Sequence, residues 1–153
     1  MINKEIFNED SIVIDENLNN KEEVFAFISN YFVNNKYADN YKEIYQGFFI
    51  REKEGSTAFT DGIGIPHSKT ATIKRPGIFI LKNNIGIEWD SLDDKPTFFF
   101  IALAIPEKDA EVDHLKMLSS IARKLVDETF KKNLINSKNK EEVFELISKV
   151  EIC

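Results

Sequence analysis

One unbroken apolar block, Phe98 to Pro106, sits in the middle of this chain and limits what it can become. The block is about half the length that a membrane helix needs, so it reads as a strand rather than a span. Ile63, Ile65 and the run Ile78-Phe79-Ile80-Leu81 are further short β segments, set apart by Gly, Pro, Asn and Asp. Ahead of them lies one more strand candidate, Ile12-Val13-Ile14. Two helical patterns follow it: Val24, Phe27, Ile28 and Tyr31, then Tyr41, Ile44, Tyr45 and Phe48, ending near Arg51-Glu52-Lys53-Glu54-Gly55. After the β region, Leu115, Leu118, Ile121, Ala122 and Leu125 share one face of a helix starting near Val112. Val143, Phe144, Leu146 and Ile147 mark a last helix beyond the polar Asn136–Asn139 turn. Helices on both sides of a central β region make an α/β or α+β sandwich.

With 153 residues, no linker-like stretch and no repeat, residues 1–153 are expected to form one domain. Such a chain can bury about 70% of its unfolded surface, enough for a core without metal or disulfide support. Its 20 Lys and Arg against 26 Asp and Glu leave a charge of −6, which speaks against gripping nucleic acid. The one cysteine, Cys153, is the last residue, so no internal disulfide is possible and a reducing cytoplasm is the expected compartment. Polar and acidic residues within the first ten positions give no signal peptide, and no membrane insertion is expected.

The chain has two histidines. His67 closes Gly62-Ile63-Gly64-Ile65-Pro66-His67, where alternating isoleucines look like a buried strand's end and Pro66 fixes φ just before the imidazole. That arrangement holds a reactive ring at a sheet edge, and on spacing alone it equally describes an ordinary loop histidine. His114 stands near a helix start, where free N–H groups welcome an anion and a neutral imidazole can donate to a phosphoryl oxygen. A buried histidine satisfied by a carbonyl fits the same position. A metal site is not asked for by the spacing, because the histidines are 47 residues apart with no Cys pair and no His-Glu-x-x-His. Nucleotide-binding glycine motifs and a serine-hydrolase elbow are also missing.

Taken together, Arg51–Thr57, Asp61–Lys69, Ile87–Asp93, Ile105–Glu107, His114–Leu118 and Ala122–Leu125 resemble, in order, the fructose/mannitol family of enzyme IIA domains. These belong to the bacterial phosphoenolpyruvate-dependent sugar phosphotransferase system, and the wording around His67 and His114 is most similar to the fructose branch. The resemblance implies a single α/β sandwich, with a mixed sheet of about five strands flanked by helices. It implies that His67 accepts a phosphoryl group from phospho-HPr and passes it to a cysteine of an enzyme IIB, with no cofactor. It further implies that His114 and Arg51 stabilise the phosphoryl group and that Asp61 orients His67 through Nδ1. Ser56 and Thr57 become lesser contacts of the site. The nitrogen-related branch of the family, which regulates partners through the same histidine, is the alternative role.

Overall fold

The computed structural model describes residues 2–107 and 112–152, and the side chains of all of these except 112–115. Five strands form one sheet: β1 (Ile12–Glu16), β2 (Ile63–Gly64), β3 (His67–Thr70), β4 (Gly77–Ile87) and β5 (Thr97–Pro106). The order is β1-β4-β5-β2, with β3 also paired to β5. Strands β4 and β5 run antiparallel, while β1 on β4 and both β2 and β3 on β5 are parallel. The sheet is mixed, as expected.

Alternation along the two central strands divides the core. Ile78 and Ile80 of β4, with Phe99, Ile101, Leu103 and Ile105 of β5, face one side. There they meet Met117 and Ile121 of α3 (Val112–Lys124), Phe130 and Leu134 of α4 (Glu128–Ile135), and Val143 and Ile147 of α5 (Lys140–Ser148). Phe79, Leu81, Phe100, Ala102 and Ala104 face the other side. That layer is α1 (Lys21–Asn34), contributing Phe25, Ile28 and Phe32, and α2 (Tyr41–Lys53), contributing Ile44 and Phe48. The apolar block at 98–106 is unbroken because both of its faces are covered.

Side-chain caps set the helix starts. Asn20, Asn40 and Asn139 each accept the backbone N–H three residues on, and Asp127 accepts those of Thr129 and Phe130, two and three residues on. The short helix α4 that Asp127 opens has no counterpart in the sequence reading.

One close approach matters for the site. A Cβ on Gly47 of α2 would run into Ser68 Oγ and come within 2.7 Å of Thr70 Cγ2. Glycine lets α2 lie directly against β3, and Ser68 Oγ donates to the Ile44 carbonyl at 3.0 Å. Four residues after Gly47, one helical turn, comes Arg51.

Candidate phosphoryl-transfer site

Proline creates the local geometry. Pro66 has no N–H to give to the ladder, so the strand on β5 is interrupted at Ile65-Pro66 and resumes as β3 at His67. The strand expected before the histidine ends at Gly64, and His67 opens the next one, so the ring stands on a strand and not in a loop. Pro66 still serves as acceptor, taking the Leu103 N–H at 3.0 Å. The Ile65 carbonyl turns instead to the histidine and lies 3.0 Å from Nδ1. An oxygen there can only accept, so Nδ1 carries the proton and Nε2 presents a lone pair.

Arg51, in the last turn of α2, points Nε at that lone pair, 3.0 Å from His67 Nε2. Its Nη1 donates to the Gly55 carbonyl at 2.8 Å. Burial is the main cause that pushes the His67 pKa down; the Ile65 carbonyl opposes it, the neighbouring Arg51 charge adds a lesser downward push, and Glu52 and Glu54 oppose least, leaving the pKa lowered. The ring is thus held neutral at Nε2, the state a nucleophile needs.

His67 lies between two shallow depressions. One, about 330 Å³, is bounded by Ser56, Phe59, Leu92, Leu118 and Ala122, with Arg51 at its edge. The other, about 350 Å³, is bounded by Ile50, Glu54, Lys69, Thr70 and Ile105. Leu92 is 74% exposed and Ile50 63% exposed, so an apolar rim stands on either side of the imidazole. A larger hollow of about 510 Å³ between α4 and α5 is lined by Glu141, Glu142 and Glu145 and contains neither His67 nor Arg51.

The other expected residues fare differently. Asp61 is not the partner of Nδ1. Asp61 and Gly62 both have positive φ, 58° and 84°, and the turn carries the carboxylate towards α4. There it accepts from Lys131 Nζ at 2.8 Å, and that bond holds the Asp61 carboxyl below its ordinary pKa and raises that of Lys131. Thr57 lines the first depression, but its hydroxyl is committed to Glu52 Oε2 at 2.6 Å and is not free to donate to a ligand. Ser56 is exposed at the site, with Oγ accepting from Ala58 N at 3.2 Å. His114 lies in the first turn of α3, and its side chain is outside the described residues.

Glu52 was missed. Its carboxylate takes the Thr57 N–H at 2.9 Å, the Thr57 hydroxyl, and the Trp89 indole N–H at 2.8 Å. The available signal was the indole itself, since a buried Trp needs an acceptor for its N–H. Among the described residues, no group of three or more His, Cys, Asp or Glu could hold a metal ion, and no helix is long and apolar enough to cross a membrane.

The family model described as "Phosphoenolpyruvate-dependent sugar phosphotransferase system, EIIA 2" matches residues 5–150. The chain belongs to this family. As an enzyme IIA domain it is built for phosphoryl transfer in general. It is similar to the PTS system fructose-specific EIIA component of Haloferax volcanii, 30% identical over 130 residues that make up 85% of this chain and 84% of that protein. It is also similar to the crystal structure of nitrogen regulatory protein IIA-Ntr from Neisseria meningitidis, with a TM-score of 0.85 and 26% identity, covering 94% of this chain and 97% of that one. The fold is shared with enzyme IIA-mannitol of Escherichia coli, solved in complex with phosphorylated enzyme IIB-mannitol, at a TM-score of 0.76 and 21% identity over 93% of this chain and 96% of the matched chain.

Proposed function

We propose that this enzyme IIA domain is a phosphocarrier of sugar uptake that takes a phosphoryl group from phospho-HPr on His67 Nε2 and delivers it to a cysteine of an enzyme IIB. The observation that carries the reading is the pair of 3.0 Å contacts on one ring, Ile65 carbonyl at Nδ1 and Arg51 Nε at Nε2. In the forward step the Nε2 lone pair attacks phosphorus while the donor's N–P bond breaks and its electrons return to the donor imidazole. Nδ1 keeps its proton, and the Ile65 carbonyl supports the positive charge that develops on the ring. Arg51 must leave the lone pair for attack to occur. Nη1 anchors it at Gly55, so the guanidinium swings to the equatorial oxygens, where charge stabilisation counts most. Transfer to a thiolate reverses the same motions. Exposed Leu92 and Ile50 give carrier proteins an apolar rim to dock on. The Escherichia coli complex supports an enzyme IIB as acceptor. Ser56 and His114 are assigned to the phosphoryl group as further donors, and the domain is assigned to the cytoplasm, where phospho-HPr is available.

A second reading, a regulator of the nitrogen-related branch whose partner choice follows His67 phosphorylation, is favoured by the Neisseria structure, which matches nearly end to end. The first test is intact mass after incubation with phosphoenolpyruvate, enzyme I and HPr. One acid-labile phosphoryl group is expected on the wild type and none on His67→Ala; an equal gain on the variant refutes the assignment. Adding a fructose-type enzyme IIB then separates the two roles, since a sugar phosphocarrier discharges onto it and a regulator does not.

A further inference from the structure

Three donors converge on the carboxylate of Glu52, and none of them touches the imidazole. Oε1 takes the Thr57 N–H and the Trp89 indole N–H, and Oε2 takes the Thr57 hydroxyl. Hydrogen bonds to an ionised carboxylate are roughly twice as strong as neutral ones. Trp89 itself is fixed by Phe25 at 5.6 Å and Phe100 at 5.2 Å between ring centroids, with Lys21 Nζ 4.8 Å from its ring centroid. The bond to Trp89 thus ties Glu52 to the α1 side of the core, and the two bonds to Thr57 fasten the loop after α2 to Glu52.

That same loop carries the Gly55 carbonyl that anchors Arg51 Nη1. Gly55 has φ 152°, a conformation outside the usual reach of other residues, so its carbonyl direction depends on the loop being held. Neighbours in sequence thus grip one loop from two sides, Arg51 at Gly55 and Glu52 at Thr57. We propose that Glu52 is a positioning residue of the phosphoryl site, holding the 54–57 loop through Thr57 and Trp89 so that Arg51, anchored at Gly55, aims Nε at His67 Nε2. The role rests on the phosphocarrier reading of His67 only for its effect on rate; the effect on the imidazole stands apart from it.

The test compares wild type, Glu52→Ala, Glu52→Gln and Arg51→Ala by 15N spectroscopy of the imidazole and by the rate of phosphoryl acceptance from phospho-HPr. Glutamine keeps an oxygen for the Thr57 and Trp89 N–H groups, and the Thr57 hydroxyl can turn to accept from its amide. Glu52→Ala is expected to move the His67 Nε2 resonance towards its position in Arg51→Ala, with Glu52→Gln near wild type. Acceptance should fall roughly 10- to 100-fold in Glu52→Ala, as for a misplaced catalytic group, and recover most of the way in Glu52→Gln. An Nε2 resonance in folded Glu52→Ala unchanged from wild type overturns the proposal. If Glu52→Ala does not fold, Glu52→Met keeps the side-chain volume and withdraws the acceptor from all three donors; an unmoved Nε2 resonance in that variant overturns the proposal equally. A wild type that takes up no phosphoryl group defeats the phosphocarrier reading, and the imidazole resonances still decide the positioning role.

Discussion

His67 works with two nitrogens that have been given different surroundings, and its reactivity follows from the difference. Nδ1 is bound to a main-chain oxygen and Nε2 is reached by a cation, so protonation of Nε2 would put two positive groups in contact in a half-buried place. Titration of the His67 ring, followed by NMR, should therefore have its midpoint below the ordinary histidine value of about 6.5. The neutral, nucleophilic form consequently persists to lower pH than in a free imidazole, and the acceptance rate should hold level down to the shifted midpoint. Arg51→Ala removes the repulsion and opens the site to water, both of which raise that midpoint. The same substitution takes away a donor to the equatorial oxygens and should slow acceptance roughly 100-fold without abolishing it. A midpoint in Arg51→Ala at or below that of the wild type contradicts this account.

At the level of elements, the site depends on how tightly α2 lies on β3. Gly47→Ala places a methyl group against Ser68 and Thr70 and must push the helix outward. Overpacking of this kind costs about 1–3 kcal/mol, measurable as a lowered denaturant midpoint. Arg51 moves with the helix, so acceptance should drop by more than the loss of stability explains; full activity in a destabilised Gly47→Ala would break that link. The elements with strong periods, α1, α2, α5 and the two central strands, were legible in the sequence because burial repeats along them. Helix α4 was not, because eight residues with only Phe130, Lys131 and Leu134 buried give the period too little length to show. The division of one strand into β2 and β3 was hidden as well: Pro66 marks an interruption, but whether pairing resumes beyond it depends on β5. Within the site, the order of motifs pointed to His67 and Arg51. The reading of Asp61 failed because its direction is set by two positive-φ residues and by a lysine 70 positions away. Glu52 escaped notice for the same reason, since its partner Trp89 is 37 residues distant.

Seen whole, the molecule is a sheet with a helical layer on each face, and the reactive ring sits where the two layers meet the edge strand. Arg51 arrives from the α1–α2 layer, while Leu118 and Ala122 of the opposite layer wall the depression. The exposed Leu92 and Ile50 belong to the outer surface rather than to either core, so charging them should leave stability nearly unchanged. Leu92→Asp and Ile50→Asp are expected to weaken productive encounter with phospho-HPr by about 1 kcal/mol or more each, read as a raised KM with little change in kcat. Unaltered KM values in both variants would remove the rim from the docking surface. The Ile65 carbonyl has a different kind of consequence. Because the bond that selects the imidazole tautomer is made by main chain, exchanging the side chain at position 65 cannot delete it, and it does not depend on which residue stands at position 61. What lineages of such a chain have to inherit is the proline that turns that carbonyl out of the ladder, so divergence can rewrite most of the pocket while the nucleophile keeps its orientation.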